Sequence, residues 1–310
     1  MKICFVGIGS IAKRHIRNIS EICKERGTEL TIDALRRKDS RGLDLPDGID
    51  RVYTDEEELP GDYDVIFITN PTEYHADTLV KLHDRSKHFF IEKPVATLDT
   101  IETLDKISFR EDSVYYVACP LRYNDVIRYL KKEIDPERVI SVRSISSSYL
   151  PDWRPGTDYR KSYSAHRDMG GGVGIDLIHE WDYLTWFFGF PDSVKSFTGK
   201  ISGLEIDSDD HAIYIARYKN MIAELHLDYF GRQSIREVEL FTDEDTIIGD
   251  IINGTVRYLK EGKTVSLQKE RDAYQKRELE YFLDLIEGGK KPQNDVENAI
   301  KVLKLTQGIV

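Results

Sequence analysis

The chain reads as an α/β protein: a doubly wound parallel sheet first, then an α+β domain built on an open, mainly antiparallel sheet. Three observations predict this. Over the first 120 residues, short apolar runs alternate with helical periodicity, as strands buried on both faces and joined by crossover helices do. The first run turns at glycines straight into a helical segment. Beyond Pro120 the runs lengthen and alternate apolar with polar residues, the pattern of strands with one solvated face.

In order, residues 2–6 form the first strand and 11–26 a helix, with Ile11, Ile16, Ile19 and Ile22 near helical spacing. Residues 30–35 and 65–69 are strands, the latter ended by Asn70-Pro71. A helix over 73–83, a strand over 88–91, a helix over 98–107 and a strand over 114–118 complete the alternation. After a helix at 126–133, the longer strands include 140–148, 211–218, 222–229 and 236–241, with turn signals at Lys219-Asn220 and Glu261-Gly262. A single helix over 175–188 carries Leu177, Trp181, Leu184 and Phe188 as a buried stripe, and helices over 274–286 and 296–309 close the chain. The reading gives domains 1–120 and 121–310, without internal repeats or a low-complexity linker.

Composition narrows the partners. The 310 residues carry a net charge of −11, and 40% of them are hydrophobic, enough for a packed core. An acidic surface argues against nucleic acid and anionic membrane, which need a basic face. The cysteines, Cys4, Cys23 and Cys119, lie far apart with no metal or redox spacing, which fits a reducing cytoplasm. The apolar start is broken by Gly7 and Gly9 and followed by Lys13-Arg14-His15, the reverse of a signal peptide's charge order. No apolar run approaches the roughly 20 residues that span a bilayer.

The chemistry begins at Gly7-Ile8-Gly9-Ser10-Ile11-Ala12. Gly7 permits a tight turn, Gly9 lets backbone approach a pyrophosphate, and Ala12 allows close helix packing. The first N–H groups of the new helix, from Ser10 and Ile11 on, then face the phosphates. This is the fingerprint of a Rossmann domain that binds a dinucleotide. NAD binders place a carboxylate after strand two; here stand Leu35-Arg36-Arg37-Lys38, with Ser40 following. Three positive groups suit a 2′-phosphate and favour NADP over NAD, with Asp33 or Asp39 as the rival ribose ligand. Asn70-Pro71-Thr72 and His75 should reach the ribose or nicotinamide side, although His75 also suits a plain helix-terminus hydrogen bond. Glu92-Lys93-Pro94 closes a buried strand at the sheet end where ligands bind. An ammonium there can hydrogen-bond a reacting oxygen and stabilise a developing alkoxide. Pro94 disfavours α conformation at Lys93.

The second cluster is Gly170-Gly171-Gly172-Val173-Gly174, running into Asp176 and His179. Residues three apart share a helix face, and an imidazole beside a carboxylate can take a hydroxyl proton while hydride leaves the carbon. His166, Asp168, Asp176 and His179 are a conceivable zinc set. The run His179-Glu180-Trp181-Asp182 is not the zinc-protease spacing, and no cysteine assists, so the reading includes no metal. The loop 149–160 precedes this helix. Trp153 can stack on a sugar face, and Arg122, Arg154 and Arg160 can pair with a carboxylate or phosphate; Tyr159, Lys161, Tyr163 and Arg167 extend the same pocket.

Together, Gly7-x-Gly9-x-x-Ala12, Asn70-Pro71-Thr72 with His75, Glu92-Lys93-Pro94, Leu121-Arg122-Tyr123 and the glycine-rich stretch ending in Asp176-x-x-His179 resemble the glucose–fructose oxidoreductase / inositol dehydrogenase / rhizopine-catabolism (Gfo/Idh/MocA) family along essentially the whole chain. The resemblance implies a Rossmann domain followed by an α/β domain whose open sheet makes homodimers or homotetramers. It also implies NAD(P)-dependent oxidation or reduction of a sugar, polyol or related carbonyl. By it Lys93 stands beside the substrate hydroxyl, His179 is the general acid/base, and Tyr123 belongs with the substrate-binding residues. Two departures stand out. Many members space the aspartate and histidine four apart; the shorter spacing looks like a subgroup that includes enzymes of nucleotide-sugar or acidic-sugar pathways, and it leaves Asp176 less defined than His179. The family's common acidic residue after strand two is replaced by arginine. Two rival readings use the same residues: a redox-neutral enzyme with tightly held NAD(P) that performs elimination or glycoside cleavage, and a cofactor-binding regulator without turnover. Lys93 and His179 together weigh against the second.

Overall fold

The apolar runs fold into the two predicted kinds of sheet. The computed structural model describes residues 1–37 and 45–310. The chain divides into two units, Met1–Ala118 with Gln275–Ile300, and Cys119–Tyr274 with Lys301–Val310. In order come β1 (Lys2–Val6), α1 (Ser10–Arg26), β2 (Thr31–Leu35), β3 (Arg51–Tyr53), β4 (Tyr63–Ile68), α2 (His75–Leu82), β5 (Ser86–Ile91) and β6 (Tyr115–Val117). Then follow α3 (Asp125–Glu133), β7 (Val139–Tyr149), α4 (Val173–Asp176), α5 (His179–Phe188), β8 (Ser193–Gly199), β9 (His211–Arg217), β10 (Ile222–Asp228), β11 (Phe230–Thr242), β12 (Thr246–Asp250), β13 (Thr255–Tyr258), β14 (Lys263–Ser266), α6 (Arg271–Gly288) and α7 (Val296–Leu305).

In the first unit six parallel strands run in the order β3-β2-β1-β4-β5-β6, the doubly wound dinucleotide-binding order. Strand β3 lies at the edge and its residues are largely exposed, so it left no apolar run in the sequence. The central strands are tied by a row of rings. Register sets Phe5, Phe67, Phe90 and Tyr116 side by side, with successive centroids 4.5, 4.9 and 5.3 Å apart. Each such pair adds about 0.5–1.5 kcal/mol beyond the area it buries. Phe282 of α6 meets Phe67 and Phe90 edge-on, at 6.0 and 5.3 Å, and the Tyr116 hydroxyl donates to Glu278 Oε1 at 3.0 Å. These contacts are why residues 275–300 count with the first unit.

In the second unit eight strands run β14-β13-β12-β11-β7-β10-β9-β8. Only β7 and β10 pair in parallel; every other neighbouring pair is antiparallel. One face buries Val142, Tyr214, Leu225, Val238 and Leu240. The opposite face carries a row of Phe197, Ile215, Ile222, Ile235 and Phe241, all exposed, around Arg143, which lies 3.6 Å from Glu224 and 3.5 Å from Glu239.

Two expected helices differ. Residues Leu98–Lys106 form 3₁₀ turns, begun by a reciprocal Thr97–Thr100 capping box; Thr100, Ile101 and Thr103 are β-branched and weak α formers. The helix expected over 175–188 is two helices, α4 and α5, separated by Leu177 and Ile178. There Ile178 N–H bonds the Ile175 carbonyl, a tighter i→i−3 link. The first piece is held close to β9 by Gly174, where a Cβ would stand 2.5 Å from the Tyr214 hydroxyl.

Phe90 is fully buried and touches two other rings of this row and Phe282 of α6. Phe90→Ala should cost about 3–5 kcal/mol of stability, read as a lower denaturation midpoint; an unchanged midpoint would deny the ring row its role.

Candidate active site

The register that stacks the rings also lines up the strand exits. Val6, Ile68, Ile91 and Val117 pair in sequence, so Gly7, Thr69, Glu92 and Ala118 leave the sheet along one carboxyl edge. Gly7 has φ +85°, and a Cβ there would stand 2.7 Å from Asn70 Cα, so both its backbone and its neighbour require glycine. Gly9 differs. Its φ is −85° and a Cβ would meet nothing within 4 Å, so the fold gives no reason for glycine. It caps α1, whose first turn has no side-chain cap and no acidic residue. An uncapped positive helix end with open space before it fits a pyrophosphate. Ser10 and Ile11 begin this helix, and Ala12 is fully buried against the sheet.

At the β2 exit, the Arg36 N–H donates to the Tyr53 carbonyl; Arg36 is half-buried and Arg37 exposed. Lys38, Asp39 and Ser40 lie outside the described residues. Asp33 cannot serve a ribose. It sits within β2, is 1% exposed, and accepts the Tyr63 hydroxyl at 2.7 Å.

Thr69 Oγ1 donates to the Gly7 carbonyl at 2.8 Å, and Asn70 Nδ2 to Thr78 Oγ1 at 2.8 Å. Pro71 and Thr72 start the short turn before α2. The sequence predicts His75 as a cofactor contact or a helix-terminus hydrogen bonder. It is 1% exposed, and its ring lies between the Pro94 and Asn70 carbonyls, 2.8 Å from each. Lys93 is half-buried, and the Lys93–Pro94 bond is cis. Glu92 Oε1 lies 2.6 Å from Nε2 of buried His15. Burial works against the Glu92 charge, yet the His15 bond, with His15, Lys93 and His75 nearby, outweighs it and holds the carboxyl below its usual range.

In the second unit, Asp176 ends α4 and His179 begins α5, so they flank a break rather than share one continuous helix. Asp176 is buried and accepts the Tyr229 hydroxyl at 2.5 Å. The Tyr163 hydroxyl also bonds Asp176, whose charge, followed by burial, keeps Tyr163 protonated well above the tyrosine range. Burial, then Asp176, does the same for Tyr229. His179 is half-buried among buried Asp176, Glu180 and Asp182.

The arginines separate by partner. Arg122, buried, forks onto Asp182 at 2.9 and 2.7 Å, anchoring α5 to the turn that carries Tyr123, Pro120–Tyr123. Arg160 is held by Asp158 at 2.8 Å and Glu205 at 3.1 Å, and Arg167 by Asp209 at 2.9 Å. Arg154 is exposed; its guanidinium stands 5.4 Å from the Tyr163 ring centroid, and no ion pair joins it to a carboxylate among the described residues. Trp153 packs edge-on against Tyr229 at 5.2 Å and donates to Ser148 Oγ at 2.9 Å. With Arg154, Tyr159, Ser162 and Ser164 it lines a small hollow. No group of three or more potential metal ligands is present among the described residues.

Sequence reasoning missed three residues. His15 continues the buried stripe of α1 between Ala12 and Ile19, and a polar residue on an apolar stripe was the available signal. Asp182 and Tyr229 gave none, because each acts across a long stretch of chain.

Comparison with known proteins agrees with this fold. Residues 1–118 match the family described as oxidoreductase family, NAD-binding Rossmann fold, and residues 127–248 match the GFO/IDH/MocA C-terminal domain. The chain is 22% identical to a myo-inositol 2-dehydrogenase of Thermotoga maritima over 98% of its own length and 94% of the other's. It is 24% identical to a D-xylose 1-dehydrogenase (NADP(+)) 2 of Haloferax volcanii, over 84% and 82%. A crystal structure of myo-inositol 2-dehydrogenase from Lactobacillus plantarum superposes with TM-score 0.78 at 21% identity, covering 99% of this chain and 95% of that one. A levoglucosan dehydrogenase in complex with NADH gives 0.83 at 15%, covering 100% and 95%. The two glycines supply a test of the dinucleotide turn. Gly9→Ala should leave the melting temperature unchanged and abolish dinucleotide binding, whereas Gly7→Ala should destabilise by about 1–2 kcal/mol from its left-handed backbone alone; a Gly9→Ala protein that binds like wild type would refute the pyrophosphate cradle. The strand order, the glycine turn and two consecutive family matches make one conclusion: the chain belongs to the Gfo/Idh/MocA family of NAD-binding oxidoreductases.

Proposed function

We propose that this chain is an NADP-preferring dehydrogenase or reductase acting on a hydroxyl or carbonyl carbon of a sugar, polyol or nucleotide-sugar derivative, with acidic substrates read by Arg154. The observation that carries the reading is the alignment of Gly7, Thr69 and Glu92, with Asn70 and Lys93 directly following the last two, at the exits of adjacent parallel strands, where a doubly wound sheet takes its ligand. The alcohols named for its relatives, inositol and xylose, support a polyhydroxylated substrate. The bound dinucleotide supplies the hydride donor or acceptor. The Lys93 ammonium hydrogen-bonds the reacting oxygen and stabilises its negative charge. His179 takes the hydroxyl proton or returns it. Asp176, fixed by Tyr229 and Tyr163, orients the proton-transfer group. Arg36 and Arg37 meet the 2′-phosphate, and Gly9 with the start of α1 meets the pyrophosphate. Trp153 and Tyr159 border the sugar. Arg122 and Arg160 support the site from their own ion pairs, which leaves Arg154 for a substrate carboxylate or phosphate. The widely separated, free and buried cysteines fit a reducing cytoplasm; a disulfide in the native enzyme would contradict that.

One kinetic experiment tests the assignment. Neutral and acidic sugars are screened with NADPH and NADH. Lys93→Ala and His179→Ala should each lower turnover about 10²–10⁴-fold, the usual contribution of a positioned acid or base. Arg154→Gln should raise KM for acidic substrates and leave neutral ones alone, and Arg36→Asp should abolish the NADPH preference. Unchanged turnover in both alanine variants would sink the catalytic reading.

The exposed apolar row on the eight-stranded sheet is larger than the isolated apolar residues of a monomer surface. It supports a homodimer or homotetramer formed through that face, with the Arg143, Glu224 and Glu239 group setting register. Sedimentation should give a multiple of the 35.8 kDa chain, reduced to one by Ile222→Glu with Phe241→Glu; a wild-type monomer at micromolar concentration would overturn it.

A further inference from the structure

We propose that His75 is a positioning residue whose ring, with a proton on each nitrogen, bridges the exits of β4 and β5 and so fixes the turn that holds Lys93. Nδ1 lies 2.8 Å from the Pro94 carbonyl oxygen and Nε2 lies 2.8 Å from the Asn70 carbonyl oxygen. Both partners can only accept. A neutral imidazole carries one N–H, so its other nitrogen would turn a lone pair toward an oxygen lone pair. At 1% exposure no solvent relieves that contact, and an unmet buried polar group costs about 1–3 kcal/mol. Two hydrogen bonds therefore need the doubly protonated ring. The carbonyls belong to the residue that opens Asn70-Pro71-Thr72 and to the residue after Lys93, so the ring sets the distance between the two strand exits.

The charged groups facing the ring are Glu92 and Lys93. Burial is the largest influence and pulls its pKa down. The Pro94 and Asn70 carbonyls and the Glu92 charge pull it up, Lys93 sides with burial, and the balance lies below the ordinary histidine value. The second proton is therefore present on the acid side and is lost as pH rises through that lowered value. Glu92 stays ionised meanwhile, because its own carboxyl is held below its usual range. Above the ring's pKa one carbonyl loses its donor, and the Lys93 turn is tied at one end only. His75 touches no ligand in this scheme; it acts through the two backbone segments it joins.

The affinity arm of the test rests on the dinucleotide reading of the site, and the spectroscopic arm does not. The protein with ¹⁵N-labelled histidine is titrated while the ring N–H signals of His75 are followed, assigned by their absence in His75→Asn. NADPH and NADH dissociation constants are measured by fluorescence across the same pH range in both proteins. Two protonated ring nitrogens should give way to one below the ordinary histidine range. Wild-type affinity should weaken several-fold over that interval, and His75→Asn should bind weakly without the step. A ring with a single protonated nitrogen throughout the folded range overturns the bridge, as does a His75→Asn protein with the wild-type step. Wild type that binds neither dinucleotide would sink the cofactor reading, and the ring signals would still decide the bridge.

Discussion

The register of β1, β4 and β5 is the constraint on which the rest of the first unit depends. Parallel strands accept several registers with similar backbone hydrogen bonding, so side chains must choose among them. Here Phe5, Phe67 and Phe90 stack in the observed alignment, and Phe282 closes over Phe67 and Phe90. A slip of β5 by one residue would turn Phe90 to the opposite face, carry Glu92 away from His15, and take Lys93 out of line with Asn70. The chemistry at the carboxyl edge is thus positioned by apolar contacts buried in the middle of the sheet.

Within each unit, ionisable groups are held in pairs whose members come from distant parts of the chain. Glu92 meets His15 of α1, Arg122 meets Asp182, and Arg236 Nε meets Glu180 Oε1 at 2.7 Å. Each is largely buried, and such pairs are weak evidence for net stability because desolvation offsets their attraction. Their effect is directional. Removing one member would strand a buried charge, so the pair tolerates only arrangements in which both elements are docked. On this view Arg122–Asp182 and Arg236–Glu180 hold α5, and with it His179, in one setting relative to β11 and the turn at 120–123.

Much of this was legible in the sequence, for identifiable reasons. Buried parallel strands leave unbroken apolar runs, so β1, β4 and β5 were visible, whereas exposed β3 was not. The glycine turn and Glu92-Lys93-Pro94 are contiguous motifs, and contiguous motifs survive in a one-dimensional reading. The break between α4 and α5 was hidden because the stripe of Leu177, Trp181 and Leu184 continues across it; periodicity records which face is buried and not whether one hydrogen bond shortens. Ion pairing was hidden for a different reason. Arg122, Arg154 and Arg160 look alike in sequence, and only the fold reveals that Asp182, Asp158 and Glu205 take two of them.

The placement of residues 275–300 has a consequence for how this protein comes into being. The first sheet is completed by Phe282 and Glu278, which leave the ribosome after residues 119–274 of the second unit. Until then the face of Phe67 and Phe90 lacks its cover, and the nascent dinucleotide-binding half presents aromatic surface to whatever is nearby. Domains commonly fold as they emerge, the N-terminal one first; here the earliest sheet waits for α6, near the end of the chain. Long-range closure of this kind slows folding, because loop entropy is lost before the contact is gained. A fragment cut at Ala118 would lack that cover, and chaperone dependence during synthesis is the natural accompaniment of such a chain order.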